Sequence, residues 1–294
     1  MDKTRYITRF EDEFPDKLRF IPGCPAGIYV RGDLPDPEKK TVAIVGARAC
    51  SEYGRKMASY FSSHLAAAGV QIVSGMARGI DGIAQRAALE AGGTTFGILG
   101  SGTDVIYPEQ NREIYRMIEG HGGLISEHPD GTAPLGPHFA SRNRIISGIC
   151  DILLVIEARL KSGTSITVAD ALDQGREIYA VPGRLTDGLS AGCNKLISEG
   201  AGMALCPDDL LKALGLLCEE PLSTSTSGFT GTKHFDLSSK EKLVFDCLDL
   251  YPRSVDEIVR TCRLSVSEVM ELVTSLCIKG AAKECARSNY IRET

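Results

Sequence analysis

The sequence predicts an α/β fold, a doubly wound and mostly parallel sheet, followed by a small helical domain. Three observations predict it. From Thr41 onward, short runs rich in β-branched residues alternate with segments of helical periodicity. Gly-containing turns follow strand after strand, and the right-handed crossover rule puts those turns on one edge of the sheet. A stretch dominated by Ser, Thr and Gly at 219–236 then separates this part from a C-terminal segment with three helical patterns.

Residues 1–40 are rich in proline and carry eight basic and eight acidic residues. They read as an N-terminal arm with one short strand, GIYVRG. TVAIVG (41–46) suits a buried parallel strand, and residues 53–68 a helix. VQIVSG (70–75) is a second strand, and 81–92 a helix ending at a Gly C-cap. TTFGILG (94–100), a helix at 109–119 and GLISE (123–127) come next. DILLVIEA (151–158), a helix at 164–174, EIYAVPG (177–183), a helix at 194–199 and GMAL (202–205) complete an extended Rossmann-like domain over 41–218. The linker at 219–236 lacks apolar periodicity and is expected to be flexible. Residues 237–294 show three Ser-capped helices and a hairpin, AAKECARSNYIRE, which is the winged-helix plan.

Composition narrows the function classes. A 294-residue chain with 43% hydrophobic and 24% charged residues is not mostly disordered. There is no apolar run of about 18 residues, and the N-terminus MDKTRYITRFEDEF lacks an apolar signal region. A cytoplasmic protein with no membrane partner is the expectation. The net charge of -5 argues against a histone-like binder. Residues 41–205 hold 14 basic and 16 acidic residues, so a nucleic-acid site here must be a small basic pocket on an acidic body. The ten cysteines show no CxxC pair and no zinc-ligand spacing with His. They read as reduced core filler, with no metal site, and Cys50 is set apart only because it follows the first strand's loop.

The catalytic templates fit poorly. GSGTDV (100–105) replaces the last glycine of the dinucleotide fingerprint with Val105, and no P-loop exists. GLSAG (188–192) matches GxSxG, yet Ser190 sits in a Gly-rich loop rather than at a strand-to-helix elbow. Glu127 and His128 read as a solvated pair at a strand end. Phosphate chemistry fits better, because Gly turns at helix N-termini gather backbone N–H groups into anion sites. Arg48, Arg78, Arg142, Arg144 and Arg184 stand among the turns, most of them in or beside strand-end loops, and guanidinium suits phosphate. Phe139 sits where a loop enters a helix and suits base stacking. Asn143 and Asp81 are expected to brace loops, and Glu157 to neutralise a neighbouring arginine.

The strings VAIVGAR..SEYG (42–54), VSGMARGID (73–81), ILGSGTDVIYP (98–108), LISEHPDG (124–131), FASRNRIISG (139–148), LVIEARLKSGTSITVADAL (154–172), VPG (181–183) and GCNKLISEGA (192–201) resemble the DNA-processing protein A family, DprA or Smf. The resemblance implies a cytosolic, non-enzymatic protein that binds single-stranded DNA without a cofactor. It also implies a homodimer that protects incoming strands in natural transformation and loads the RecA recombinase. Carried over by motif, the binding residues are Gly46, Ala47 and Arg48; Ser74, Gly75, Arg78 and Gly79; Phe139, Arg142, Asn143 and Arg144; and Ser162, Gly163 and Thr164, with Arg184 beside them. The chain departs from the family at Ala47, where a Ser hydroxyl is lost and the backbone N–H kept, and at Gln85, where the family has His.

Two alternatives stand beside this reading. Rossmann-like nucleoside-monophosphate phosphoribohydrolases resemble the chain at SGTSITVADAL, and Asp170 or a neighbour would have to replace their catalytic Glu. The helix over LSVSEVMELVTSLCIKG carries Glu268 and Glu271 with only Lys279, so a protein contact suits the winged helix better than a duplex contact.

Overall fold

The computed structural model describes residues 3–217, 235 and 237–293. The expected linker at 219–236 therefore lies outside the described residues, Phe235 apart. The chain divides into two compact units near residue 221.

The first unit is built on one nine-stranded sheet. Its strands are β1 (Arg5–Thr8), β2 (Gly27–Gly32), β3 (Thr41–Gly46), β4 (Gln71–Ser74), β5 (Thr95–Leu99), β6 (Gly122–Ser126), β7 (Ile152–Ile156), β8 (Glu177–Ala180) and β9 (Gly202–Met203). They lie in the order β1-β2-β6-β5-β4-β3-β7-β8-β9. All neighbours from β6 to β9 in that order pair parallel. β1 and β2 add to β6 antiparallel. Every residue of β7 and all but Gly46 of β3 are buried, which explains why both read as unbroken apolar runs.

The helices are α1 (Asp16–Arg19), α2 (Glu52–Ala67), α3 (Ile80–Glu90), α4 (Arg112–Ile118), α5 (Gly136–Ile149), α6 (Thr164–Asp173), α7 (Ala191–Ser198) and α8 (Pro207–Ala213). Chain order runs outward from β3 through β4, β5 and β6, then restarts on the other side with β7, β8 and β9. The sheet thus reverses its winding between β3 and β7, the place where open α/β sheets bind ligands.

Three expectations need correction. The arm holds two strands rather than one, and it is part of the first unit. Ile7, Phe14, Leu18 and Ile28 are at most 2% exposed within the core around the sheet. The helix expected to follow the loop at Phe139 begins earlier, at Gly136: α5 contains Phe139 itself, and Pro137 sits in its first turn, where the missing N–H costs nothing. Glu157 forms no ion pair with an arginine among the described residues. Its carboxylate accepts from Ser51 N at 2.8 Å and from the Ser51 hydroxyl, and Ser51 in turn caps α2 through Gly54 N.

The second unit packs α9 (Ser239–Cys247), α10 (Val255–Cys262) and α11 (Val266–Ile278) against β10 (Arg253–Ser254), β11 (Ala282–Ala286) and β12 (Asn289–Arg292). The strand order is β10-β12-β11, so the expected hairpin gains a third, short strand. Capping boxes begin all three helices: Ser238 with Glu241, Ser254 with Glu257 and Ser265 with Glu268.

Glu241 also accepts from Ser275 Oγ at 2.6 Å and Lys279 Nζ at 2.8 Å. Lys279, then Ser275 and Ser238, hold its carboxyl down at about 2, from 4.5. Lys240 and then Ser265 do the same to Glu268. A lowered folded-state pKa contributes stability that is fully present above the unfolded value and lost as pH falls through the folded one. Helicity of the second unit is therefore expected to weaken between about pH 4.5 and 2. Amide exchange over residues 238–279 should report this loss, and Glu241→Gln should flatten it. An unchanged acid profile in that variant would show that Glu241 carries no such stability.

Candidate nucleic-acid interface

A cavity of about 470 Å³ opens at the switch point. Three segments supply most of its wall: Gly46–Ala49 at the end of β3, the stretch after β7 with Ala158, Arg159 and Ser162 to Thr164, and helix α5. The first turns of α5 add Phe139, Arg142 and Asn143. Ala77 and Asp81 come from the loop after β4 and the start of α3, and Ile166 and Leu189 extend the wall.

Packing fixes the shape of the first loop. A Cβ on Gly46 would lie 1.8 Å from Ile156 O, so β3 and β7 meet only if that residue is Gly. Gly79 holds φ +76°, and a Cβ there would come within 2.3 Å of Ala47 O. Ala47 N donates to Glu157 O at 2.8 Å, so the backbone donor expected at Ala47 is already used inside the protein. Arg48 is exposed and forms no ion pair among the described residues. Its guanidinium lies over the Phe139 ring, 5.9 Å from the centroid.

The second loop offers open donors. Gly163 caps α6 with no side-chain cap, and the N–H groups of Gly163 and Thr164 have no acceptor among the described residues. They sit at the positive end of α6, facing the cavity that Ser162, Gly163 and Thr164 line. Ser162 Oγ is buried with no hydrogen-bond partner among the described residues. Arg159, exposed and also lining the cavity, is a cation that the sequence reading missed. Its signal was present in EARLKSGTS, where it stands between strand β7 and the glycine turn.

Several predicted ligands act as braces instead. Arg142 is 4% exposed and donates to Gly75 O at 2.7 Å and to Ile98 O. Asp81 accepts from Gly75 N at 3.1 Å. Burial pushes the Asp81 carboxyl up, with Arg142 opposing, and pushes Arg142 down to about 10. A Cβ on Gly75 would lie 2.7 Å from Asp81 Oδ2 and 2.8 Å from Arg142 Nη1, so only Gly fits between them. Ser74 is buried and donates to Ile44 O. Arg144 is spent on Glu127, with two bonds of 2.6 Å, and on Gly23 O at 2.8 Å. Glu127 is thus paired with Arg144 and not with His128. Burial, then the His138 ring stacked 4.0 Å away, lowers the His128 pKa. Arg78 and Arg184 are exposed and do not line the cavity.

Arg142 and Arg144, expected just past the point where a loop enters a helix, lie inside α5. The Gly turns after β5 and β8 also stay out of the cavity wall, so the expected cleft of five turns narrows to the loops around the switch point. Gly100 nevertheless backs the site, since a Cβ there would touch the Phe139 ring at 2.9 Å. Gln85 is fully buried; its Oε1 accepts from Met76 N and its Nε2 donates to Phe96 O, both at 3.2 Å. Both ends of the amide are satisfied, and the position needs no imidazole. Desolvation raises the Cys50 thiol, which leaves it unactivated.

Fold and site together define a class: a doubly wound α/β protein with a pocket at its switch point, lined by exposed arginines and the N-terminus of α6, followed by a winged helix. The family model for DNA recombination-mediator protein A matches residues 5–215, and that for the DprA winged helix domain matches 232–286. The chain belongs to the DprA/Smf family. It is 41% identical over 201 residues to the DNA processing protein DprA of Streptococcus pneumoniae, covering 68% of this chain and 71% of that protein. It is 33% identical over 300 residues to a putative DprA of Mycobacterium tuberculosis, covering 96% and 75%. The X-ray structure of the S. pneumoniae protein superposes with a TM-score of 0.67 at 38% identity, over 71% of this chain and 74% of that one. A DprA structure from Helicobacter pylori, described as revealing a unique single-stranded DNA binding mode, gives 0.64 at 26% identity, over 72% and 96%. No described helix is long and apolar enough to cross a membrane.

Proposed function

We propose that this chain holds single-stranded DNA in the cavity between the β3 and β7 loops, as a cytoplasmic homodimer that protects incoming strands and loads RecA onto them. The carrying observation is the junction of three features in one 470 Å³ cavity. Arg48 is exposed in it with no ion pair among the described residues, the Phe139 ring lies beneath Arg48, and the N-terminus of α6, without a side-chain cap, closes the wall. Arg48, Arg159 and the α6 N–H groups line the same cavity and suit a phosphate, and Phe139 supplies a face for a base. The H. pylori relative, whose description concerns single-stranded DNA, supports the same ligand here. RecA loading and dimerisation rest on family membership.

The site is one of binding rather than catalysis. Asp170, the acid that a phosphoribohydrolase would need, does not line the cavity, and Asp81 is bound to Gly75. Titration of a labelled oligo-dT by fluorescence anisotropy tests the reading. Affinity should fall linearly in log–log form with salt, by a slope of about -0.7 per phosphate contact, and duplex DNA should compete weakly. Duplex competing as well as oligo-dT, or release of base from AMP, would overturn it.

A further inference from the structure

We propose that Cys247 and Cys262 form a dithiol that closes to an intramolecular disulfide when the protein meets a disulfide or peroxide oxidant. The inference concerns the second unit and does not rest on the DNA-binding reading. The two sulfurs lie 3.1 Å apart, one at the last residue of α9 and the other at the last residue of α10. That is closer than two sulfurs packed as plain core filler would sit, and closure to a bond length near 2.05 Å needs a shift of only about 1 Å. Both residues belong to the core that joins the two helices, so a cross-link there restrains existing packing rather than remaking it.

The two thiols differ in access. Cys247 is half-buried, whereas Cys262 is buried at 9% exposure, and its thiol is pushed up to about 12 by desolvation and by Cys247 beside it. Cys247 is therefore the sulfur that meets the oxidant. With oxidised glutathione, the Cys247 thiolate attacks one sulfur and releases one glutathione thiolate, leaving a mixed disulfide. Cys262 then loses its proton and attacks Cys247 Sγ, expelling the second glutathione. Two protein thiols are oxidised, one glutathione disulfide is reduced to two thiols, and the departing thiolates take up the protons. In a reducing compartment the same exchange runs backward, so the bond is a transient modification of the winged helix.

The test uses the full chain, treated with oxidised glutathione, acid-quenched, denatured and alkylated. Intact mass should show two fewer alkylated thiols, and peptide mapping should join 247 to 262. Cys247→Ala should abolish the loss, while Cys50→Ala leaves it unchanged. The oxidised form should melt at a higher temperature in the second unit, since the bond restrains its unfolded chain. Oxidising urea-unfolded protein should scramble the pairing, which shows that the folded geometry selects the bond. Full alkylation of Cys247 and Cys262 after treatment of the folded protein, or pairing elsewhere at equal yield, overturns the proposal.

Discussion

Arg142→Ala is expected to cost the first unit about 3–5 kcal/mol of stability, the range for stripping a buried charge of its partner. The change removes the nearer of the two cations that act on the buried Asp81 carboxyl, leaving only the exposed Arg48, and it leaves Gly75 O and Ile98 O without their donor. Each of those losses alone carries a penalty of about 1–3 kcal/mol. Arg142→Lys should recover only part, because one ammonium cannot span both carbonyls as the guanidinium fork does. Urea unfolding followed by tryptophan-independent signals such as far-UV circular dichroism measures it. A shift below about 1 kcal/mol would show that Arg142 does not brace the β4 loop.

The opposite pattern is expected at Arg48 and Phe139. Arg48 is exposed and makes no ion pair among the described residues, so Arg48→Ala should leave stability within about 0.5 kcal/mol. Oligo-dT affinity should nevertheless fall about tenfold to a hundredfold, as loss of a charge-assisted phosphate contact implies. The salt slope should shrink by about 0.7. Phe139→Ala should weaken binding by a similar factor through lost stacking. The double variant should lose less than the product of the two factors, because Arg48 lies over the ring it shares the site with. Strict multiplicativity would mean that the two act at separate places on the strand.

Much of this was legible in the sequence, and the failures have physical causes. The buried parallel strands β3 and β7 declare themselves because both faces are covered and, Thr41 apart, every side chain they carry is apolar. Ser162, Gly163 and Thr164 stand where a strand-loop-helix turn must leave N–H groups open. The arginines were less legible, since a guanidinium reads alike in sequence whether it lies exposed at a pocket, like Arg48, or donates to buried carbonyls, like Arg142. Only the fold shows that α5 lays Arg142 under the β4 loop and Arg144 against Glu127. The start of α5 was hidden because Gly136 and Pro137 begin it, residues that usually mark a loop. The arm's β1 was hidden for a similar reason: Arg5 and Tyr6 are exposed in a four-residue edge strand, so no apolar alternation announces it.

The central claim is that the pocket at the β3/β7 switch point is where the single strand binds. Equilibrium titration of oligo-dT against wild type and Arg48→Ala, with urea midpoints measured on the same preparations, tests it most directly. The account predicts at least a tenfold loss of affinity with an unmoved midpoint. Equal affinity of the two proteins, with both fully folded, would contradict it.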